Sequence, residues 1–259
     1  MSDSPPSIDV LRLAMWSGPR NISTALMRSW GNRSDTFVVD EPLYAHYLAV
    51  TGKPHPGRDE VIAAGPTDWR VVVRRLTEEL PPGLPTAATP GCRRPIYYQK
   101  HMTHHLLPAM SRAWFGRLVH AFLIREPRAV LASYVKVIET PTLDDTGFPQ
   151  QAEIFEEVRR ATGRVPPVID AADVLRDPRR VLARLCAALD VPFEEAMLAW
   201  PPGRRATDGV WAKYWYAEVE RSTGFRPYQP RQVELPPALE ALAAQCRASY
   251  ELLADHRLH

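Results

Sequence analysis

Apolar positions along the chain fall into short runs separated by helix-spaced repeats. Ile8 to Met15 (IDVLRLAM) is rich in Ile, Val and Leu and runs into a Gly-Pro turn, which predicts a buried strand ending in a loop. Beyond the turn, Ile22, Leu26 and Trp30 recur at four-residue steps, as one face of a helix requires. Thr36 to Val39 and Pro95 to Gln99 predict two further short strands, ending at Asp40-Glu41-Pro42 and at Lys100-His101. Leu118 to Ile124 predicts a fourth, and Pro127 then stands where a first helical turn accepts proline, ahead of Val130, Leu131, Tyr134 and Ile138 on one face. Helices are also predicted over Thr67 to Leu80, Gln150 to Thr162 and Arg179 to Leu189, and through Leu239, Leu242, Cys246, Tyr250 and Leu253.

Short apolar strands alternating with helices predict an α/β fold: a mostly parallel central sheet flanked by helices on both faces. Leu80 to Pro95 and Glu139 to Pro149 read as loops, and nothing between them reads as a linker, so residues 1–259 are expected to form one domain. The 32 basic and 30 acidic residues are too evenly matched to predict nucleic-acid binding by net charge, and any anion site must be local. No apolar run reaches the roughly 20 residues that a membrane span needs, and Met1 to Ser7 lacks a cationic start and an apolar core. Cys92, Cys186 and Cys246 lie far apart and suggest neither a disulfide framework nor a zinc site. The expectation is a soluble, cytoplasmic protein without membrane or nucleic-acid partners.

Two strand-loop-helix units carry the chemistry. Gly18-Pro19-Arg20-Asn21-Ile22-Ser23-Thr24 offers backbone N–H groups, two hydroxyls and a guanidinium at a helix start, where a phosphate is readily held. It lacks the G-x-x-x-x-G-K-[ST] pattern of a Walker A loop, and an ordinary Ser/Thr-rich helix start would present the same residues. The second unit puts Arg125 at a strand end and Ser133 roughly two helical turns later, which suits a second phosphate but also a solvated helix start.

Together these segments resemble the two signature regions of the sulfotransferase superfamily. Pro19-Arg20-Asn21-Ile22-Ser23-Thr24 is similar to the end of the family's T-Y-P-K-S-G-T-T loop, and Arg125 to Ser133 has the spacing of its R-N-P-x-x-x-x-x-S motif, with Glu126 in place of Asn. The resemblance implies a P-loop NTPase-like sulfotransferase fold with 3'-phosphoadenylyl sulfate (PAPS) as donor and 3',5'-adenosine bisphosphate (PAP) as product. It places the 5'-phosphosulfate on the first loop and the 3'-phosphate on Arg125 and Ser133. Arg20 stands where cytosolic members carry lysine; it stays cationic and can bind phosphate bidentately. Thr207 to Lys213, with Gly209 and Trp211, resembles the late loop that closes over the nucleotide, with Arg204 and Arg205 just upstream. The resemblance is strongest to bacterial members whose relatives are sometimes labelled aminotransferase-like, although no pyridoxal-binding motif is present.

Sulfuryl transfer to a hydroxyl or amine of a small-molecule acceptor requires a base and cations, and no metal inherently. Two candidates for the base compete. Glu41 resembles the strand-end Glu used in several bacterial and Golgi-type members, whereas Lys100-His101-Met102-Thr103-His104-His105 resembles the K-T-H-L-P segment of cytosolic enzymes, with His101, His104 and His105 all in play. Asp144, Asp145 and Gln150 are candidates to face the acceptor, and a plain solvated loop would present the same residues. A P-loop small-molecule kinase, or a non-catalytic nucleotide- or partner-binding module, would share the strand-loop-helix pattern.

Overall fold

A computed structural model of the chain describes residues 9–86, 88–230 and 234–259. Five strands, β1 (Leu11–Ser17), β2 (Thr36–Asp40), β3 (Ile96–Met102), β4 (Val119–Ile124) and β5 (Val168–Asp170), form one sheet in the order β2-β3-β1-β4-β5. Every pairing is parallel. The helices are α1 (Ser23–Trp30), α2 (Tyr44–Thr51), α3 (Arg58–Ala64), α4 (Trp69–Thr77), α5 (Pro127–Tyr134), α6 (Leu143–Thr146), α7 (Phe148–Thr162), α8 (Ala171–Arg176), α9 (Pro178–Ala188), α10 (Ala212–Trp215), α11 (Ala217–Glu220) and α12 (Pro237–Ala254).

Alternation along the strands divides the core. From β1, Leu11, Leu13 and Met15 pack on one side with Leu26, Met27 and Trp30 of α1, Leu48 of α2 and Leu182 and Leu185 of α9. Ala14 and Trp16 pack on the other side with Leu76 of α4, Ile154 and Phe155 of α7 and Leu253 of α12. The predicted parallel sheet with helices on both faces is therefore what forms. Leu13 is fully buried at its centre, and truncating such a residue to alanine costs about 2–5 kcal/mol.

Some element boundaries differ from the sequence expectation. The first strand runs to Ser17, and β3 runs to Met102, three residues past the expected end at Gln99. The expected start at Ile8, and Met1 to Ser7, lie outside the described residues. The helix after Pro127 stops at Tyr134, short of Ile138. Within the expected loop Glu139 to Pro149 lies α6, held by a reciprocal cap between Thr142 and Asp145; such boxes satisfy two otherwise orphaned N–H groups. β1 is the point at which strand order reverses, with β3 on one side and β4 on the other, and ligands of open α/β sheets bind beyond the strand ends at such a point.

Candidate functional site

The ends of β1 and β4 build a cationic corner. An added Cβ at Gly18 would lie 2.9 Å from the Thr146 carbonyl oxygen, so the loop approaches that backbone too closely for a side chain. Arg20 then adopts φ 55, a left-handed conformation that costs a side-chain-bearing residue about 1–3 kcal/mol and needs its surroundings to hold it. Several bonds do so. Arg125 Nη1 donates to the Arg20 carbonyl at 2.7 Å, Arg20 Nε donates to Ser133 Oγ at 3.1 Å, and Asn21 Nδ2 donates to the Leu123 carbonyl at 3.1 Å. Arg20, Arg125 and Ser133 are thus brought together. Glu126, in the position of the family's Asn, caps α5 by accepting from Ala129 N–H at 2.9 Å. Burial lowers the pKa of the Arg20 guanidinium, opposed in part by Tyr134, and Arg20 has no carboxylate partner among the described residues. A desolvated cation without an anion is costly, and an anionic ligand relieves that cost.

The ends of β2 and β3 build an acidic corner. Lys100 points to the α1 face of the sheet, where its ammonium donates to Asp40 Oδ1 at 2.9 Å, Glu41 Oε1 at 2.5 Å and the Tyr216 hydroxyl oxygen at 2.8 Å. Tyr216 in turn donates to Asp40 Oδ2 at 2.7 Å. Glu41 is the second residue of the site with a positive φ, 38. Burial pushes its carboxyl above the ordinary range; Asp40 adds to this and Lys100 opposes it. The Lys100 ammonium is raised, because the two carboxylates outweigh its desolvation.

The histidines divide by face. His101 follows Lys100 along a strand and therefore points to the opposite side, where it stacks on Trp16 at 4.4 Å between ring centroids and meets Gln99 Oε1 at 3.2 Å. It does not line the cavity, so its candidacy as base is corrected by the added length of β3. His104 and His105 do line it. His105 stacks on Tyr44 at 4.6 Å, and its Nδ1 lies 4.0 Å from Glu41 Oε2. Burial drives His101 and His104 down to about 3 and His105 well below its ordinary value, so all three are neutral near pH 7.

Both corners open on one cavity of ≈ 1490 Å³. Pro19, Arg20, Asn21, Ile22, Ser23, Thr24, Glu41, Lys100, His104, His105, Arg125 and Ser133 line it. Nine expected site residues do not: Gly18 and His101, already described, and seven others. Asp145 pairs with Lys53 at 2.7 Å and caps α6, and Gln150 Nε2 lies 3.5 Å from the Asp144 carbonyl. Arg204 faces Glu220 at 3.8 Å, and Arg205 Nη2 donates to the Pro201 carbonyl at 3.1 Å. Gly209 N–H donates to Asp40 Oδ2 at 3.3 Å and Trp211 Nε1 to the Tyr216 hydroxyl at 3.2 Å, so this loop buttresses the acidic corner from behind instead of covering the cavity. The segment Phe225–Gln229 lines the cavity in its place, with Trp215, Tyr216, Tyr44, His55 and Tyr134 also on the wall. The aromatic run Tyr214-Trp215-Tyr216 was a visible signal; nothing in the spacing of Phe225 to Gln229 was. Among the described residues no cluster of three or more His, Cys, Asp or Glu side chains is arranged to hold a metal ion, and no helix is long and apolar enough to cross a membrane.

Residues 11–235 match the model of the sulfotransferase domain. The chain belongs to the sulfotransferase domain family. This sulfotransferase-family chain is 35% identical over 245 residues to the branched-chain-amino-acid aminotransferase-like protein 1 of Arabidopsis thaliana, and 33% identical over 244 residues to protein 2 of the same name and plant. Each match covers 94% of the chain but only 42% and 41% of the relatives, so the chain spans about two-fifths of the length of the curated relatives it matches. Among solved structures, the sulfotransferase domain from the curacin biosynthetic pathway shares its fold, with a TM-score of 0.50 and 18% identity over 93% of this chain and 99% of that one.

Proposed function

We propose that the chain transfers a sulfuryl group from PAPS to a hydroxyl or amine of a small molecule and releases PAP, acting as one domain in the cytoplasm. The observation that carries this reading is the polarity of the cavity: Arg20, desolvated and without a carboxylate partner, lies on one wall, and Glu41 lies on another. The donor fits that arrangement. Arg20, Ser23 and Thr24 line the cavity and would hold the 5'-phosphosulfate, and Arg125 and Ser133, which also line it, would hold the 3'-phosphate. PAPS supplies an activated sulfuryl group on a phosphate leaving group.

The chain's own residues supply charge and proton transfer. Arg20 would set a fixed cation against the charge that the phosphate leaving group gains, the kind of preorganised stabilisation that contributes most to such reactions. Glu41 Oε1 is held by Lys100, which leaves Oε2 to take the acceptor's proton as its oxygen or nitrogen bonds to sulfur and the sulfur–oxygen bond to the phosphate breaks. Its raised proton affinity suits it to the role, because a base works best with a pKa near the operating pH. Lys100 has all three N–H groups committed to Asp40, Glu41 and Tyr216, and so acts on Glu41, not on the donor. His104 and His105, neutral and adjacent, shape the acceptor wall.

The test compares protection against thermal unfolding by PAP and by ATP with magnesium, followed by transfer of labelled sulfate to a panel of alcohols, phenols and amines. A ligand raises the melting temperature according to its affinity for the folded state. PAP is expected to protect and label to transfer. Preferential protection by ATP with magnesium would point to a kinase, and PAP protection without transfer to any acceptor would leave a binding module.

A further inference from the structure

Asp40 and Tyr216 are buried beside Glu41, and Tyr216 also borders the cavity. Asp40 accepts from Lys100 Nζ at 2.9 Å, from the Tyr216 hydroxyl at 2.7 Å and from Gly209 N–H at 3.3 Å. With its O–H given to Asp40, the Tyr216 oxygen is left to accept from Lys100 at 2.8 Å and from Trp211 Nε1 at 3.2 Å. The loop bearing Gly209 is itself pinned by a bidentate pair in which Arg28 Nη1 and Nη2 donate to Asp208 at 2.5 and 2.7 Å. Two carboxylates share one ammonium, so with both ionised the cluster has one negative charge more than it can neutralise.

We propose that Asp40 and Tyr216 are positioning residues that act through Lys100: they fix one oxygen of Glu41, leave the other toward the cavity, and make Glu41 the carboxyl that holds the cluster's exchangeable proton. The inference rests on the reading of Glu41 as the base. Asp40 has three donors, whereas Glu41 takes one short bond from Lys100 and has Tyr216 only at 3.5 Å. The other groups near Glu41 carry no charge near pH 7. His105, from the turn after β3, is held neutral by burial, and burial raises the phenols of Tyr44 on α2 and Tyr134 on α5. Among the described residues the charges that govern Glu41 are therefore Asp40 and Lys100.

This geometry predicts opposite effects of two small changes. Asp40→Asn removes the neighbouring negative charge while keeping the shape, so Glu41 loses its proton more easily and its titration midpoint falls by about one pH unit or more. Tyr216→Phe removes a donor from a cluster that has too few, so the shared proton is held more tightly and the midpoint rises, by about half a pH unit for one hydrogen bond. Simple loosening of the site would move both variants down, toward the ordinary glutamate value.

The experiment is an NMR titration of the full chain labelled with carbon-13 at the glutamate side-chain carboxyls, with the Glu41 signal assigned by its loss in Glu41→Gln. It needs no acceptor. Opposite shifts in the two variants support the inference; shifts of the same sign, or none, overturn it. If Asp40→Asn fails to fold, Tyr216→Phe, which removes a single oxygen, decides by the sign of its own shift. Failure of the base reading shows differently: Glu41→Gln would keep its rate of labelled-sulfate transfer while both shifts stood, which would overturn the catalytic purpose of the cluster but not its charge coupling.

Discussion

Acidification from pH 7 toward pH 5 should destabilise this protein steeply, and the cause can be assigned to single residues. His101, His104, His105 and His120 are buried, and burial drives them to about 3, to about 3, well below the ordinary value and to about 4, respectively. In the unfolded chain each returns to about 6.5. Folded values lie below unfolded ones, so this stability is complete above about pH 6.5 and is lost as the pH falls, because only the unfolded state takes up protons. At about pH 5.5 roughly nine-tenths of each unfolded histidine is protonated, and each contributes about 1.2 kcal/mol per pH unit to the slope. Four together give about 5 kcal/mol per pH unit, against a typical total stability of about 5–15 kcal/mol. Glu41, Asp170 and Glu194, whose carboxyls are raised mainly by burial, gain protons first in the folded state and reduce the net slope. A paired comparison removes them from the result. His101→Phe, outside the cavity and stacked on Trp16, should lower the slope by about 1.2 kcal/mol per pH unit relative to wild type. It should also cost about 1–3 kcal/mol at every pH, because Gln99 Oε1 loses its partner. Urea unfolding followed by tryptophan fluorescence between about pH 5 and 7 reads both effects. An unchanged slope in His101→Phe would refute the assignment of a neutral buried imidazole.

Two other changes test separate parts of the structure. Asp208→Ala strands the Arg28 guanidinium, only 2% exposed, without its carboxylate and should cost about 3–5 kcal/mol in urea unfolding. The wall proposed for the acceptor carries Glu41, neutral histidines and Tyr44, Tyr134 and Trp215, while the Lys100 ammonium is fully committed. Labelled-sulfate transfer should therefore favour a neutral or cationic phenol, such as 4-ethylphenol or tyramine, over its carboxylated counterpart by about tenfold or more in kcat/KM, the effect of one uncompensated like charge.

The parallel sheet was legible because β1, β3 and β4 are dense in buried apolar residues, which only a sheet covered on both faces accommodates. β5, three residues behind Pro166-Pro167, is too short to stand out, and α2 is apolar on too many sides to show one helix face. At the site, the turns that end β1 and β4 were legible, and the pairing of those two strands brings Arg20 to Arg125 and Ser133. His101 was not separable from His104 without the true end of β3, since alternation fixes the side only of residues that lie within the strand. The loop from Arg204 to Trp211 supports the acidic corner through Gly209, Trp211 and Asp208, and tertiary packing alone decides that arrangement.

Calorimetric titration of PAP into wild type and Arg20→Ala tests the central claim, an anion-binding corner built on Arg20, most directly. Wild type should bind without added metal, and Arg20→Ala should bind at least about tenfold more weakly, as expected for loss of a charge-assisted contact. Equal affinity in the two proteins, or no binding to wild type, would contradict it.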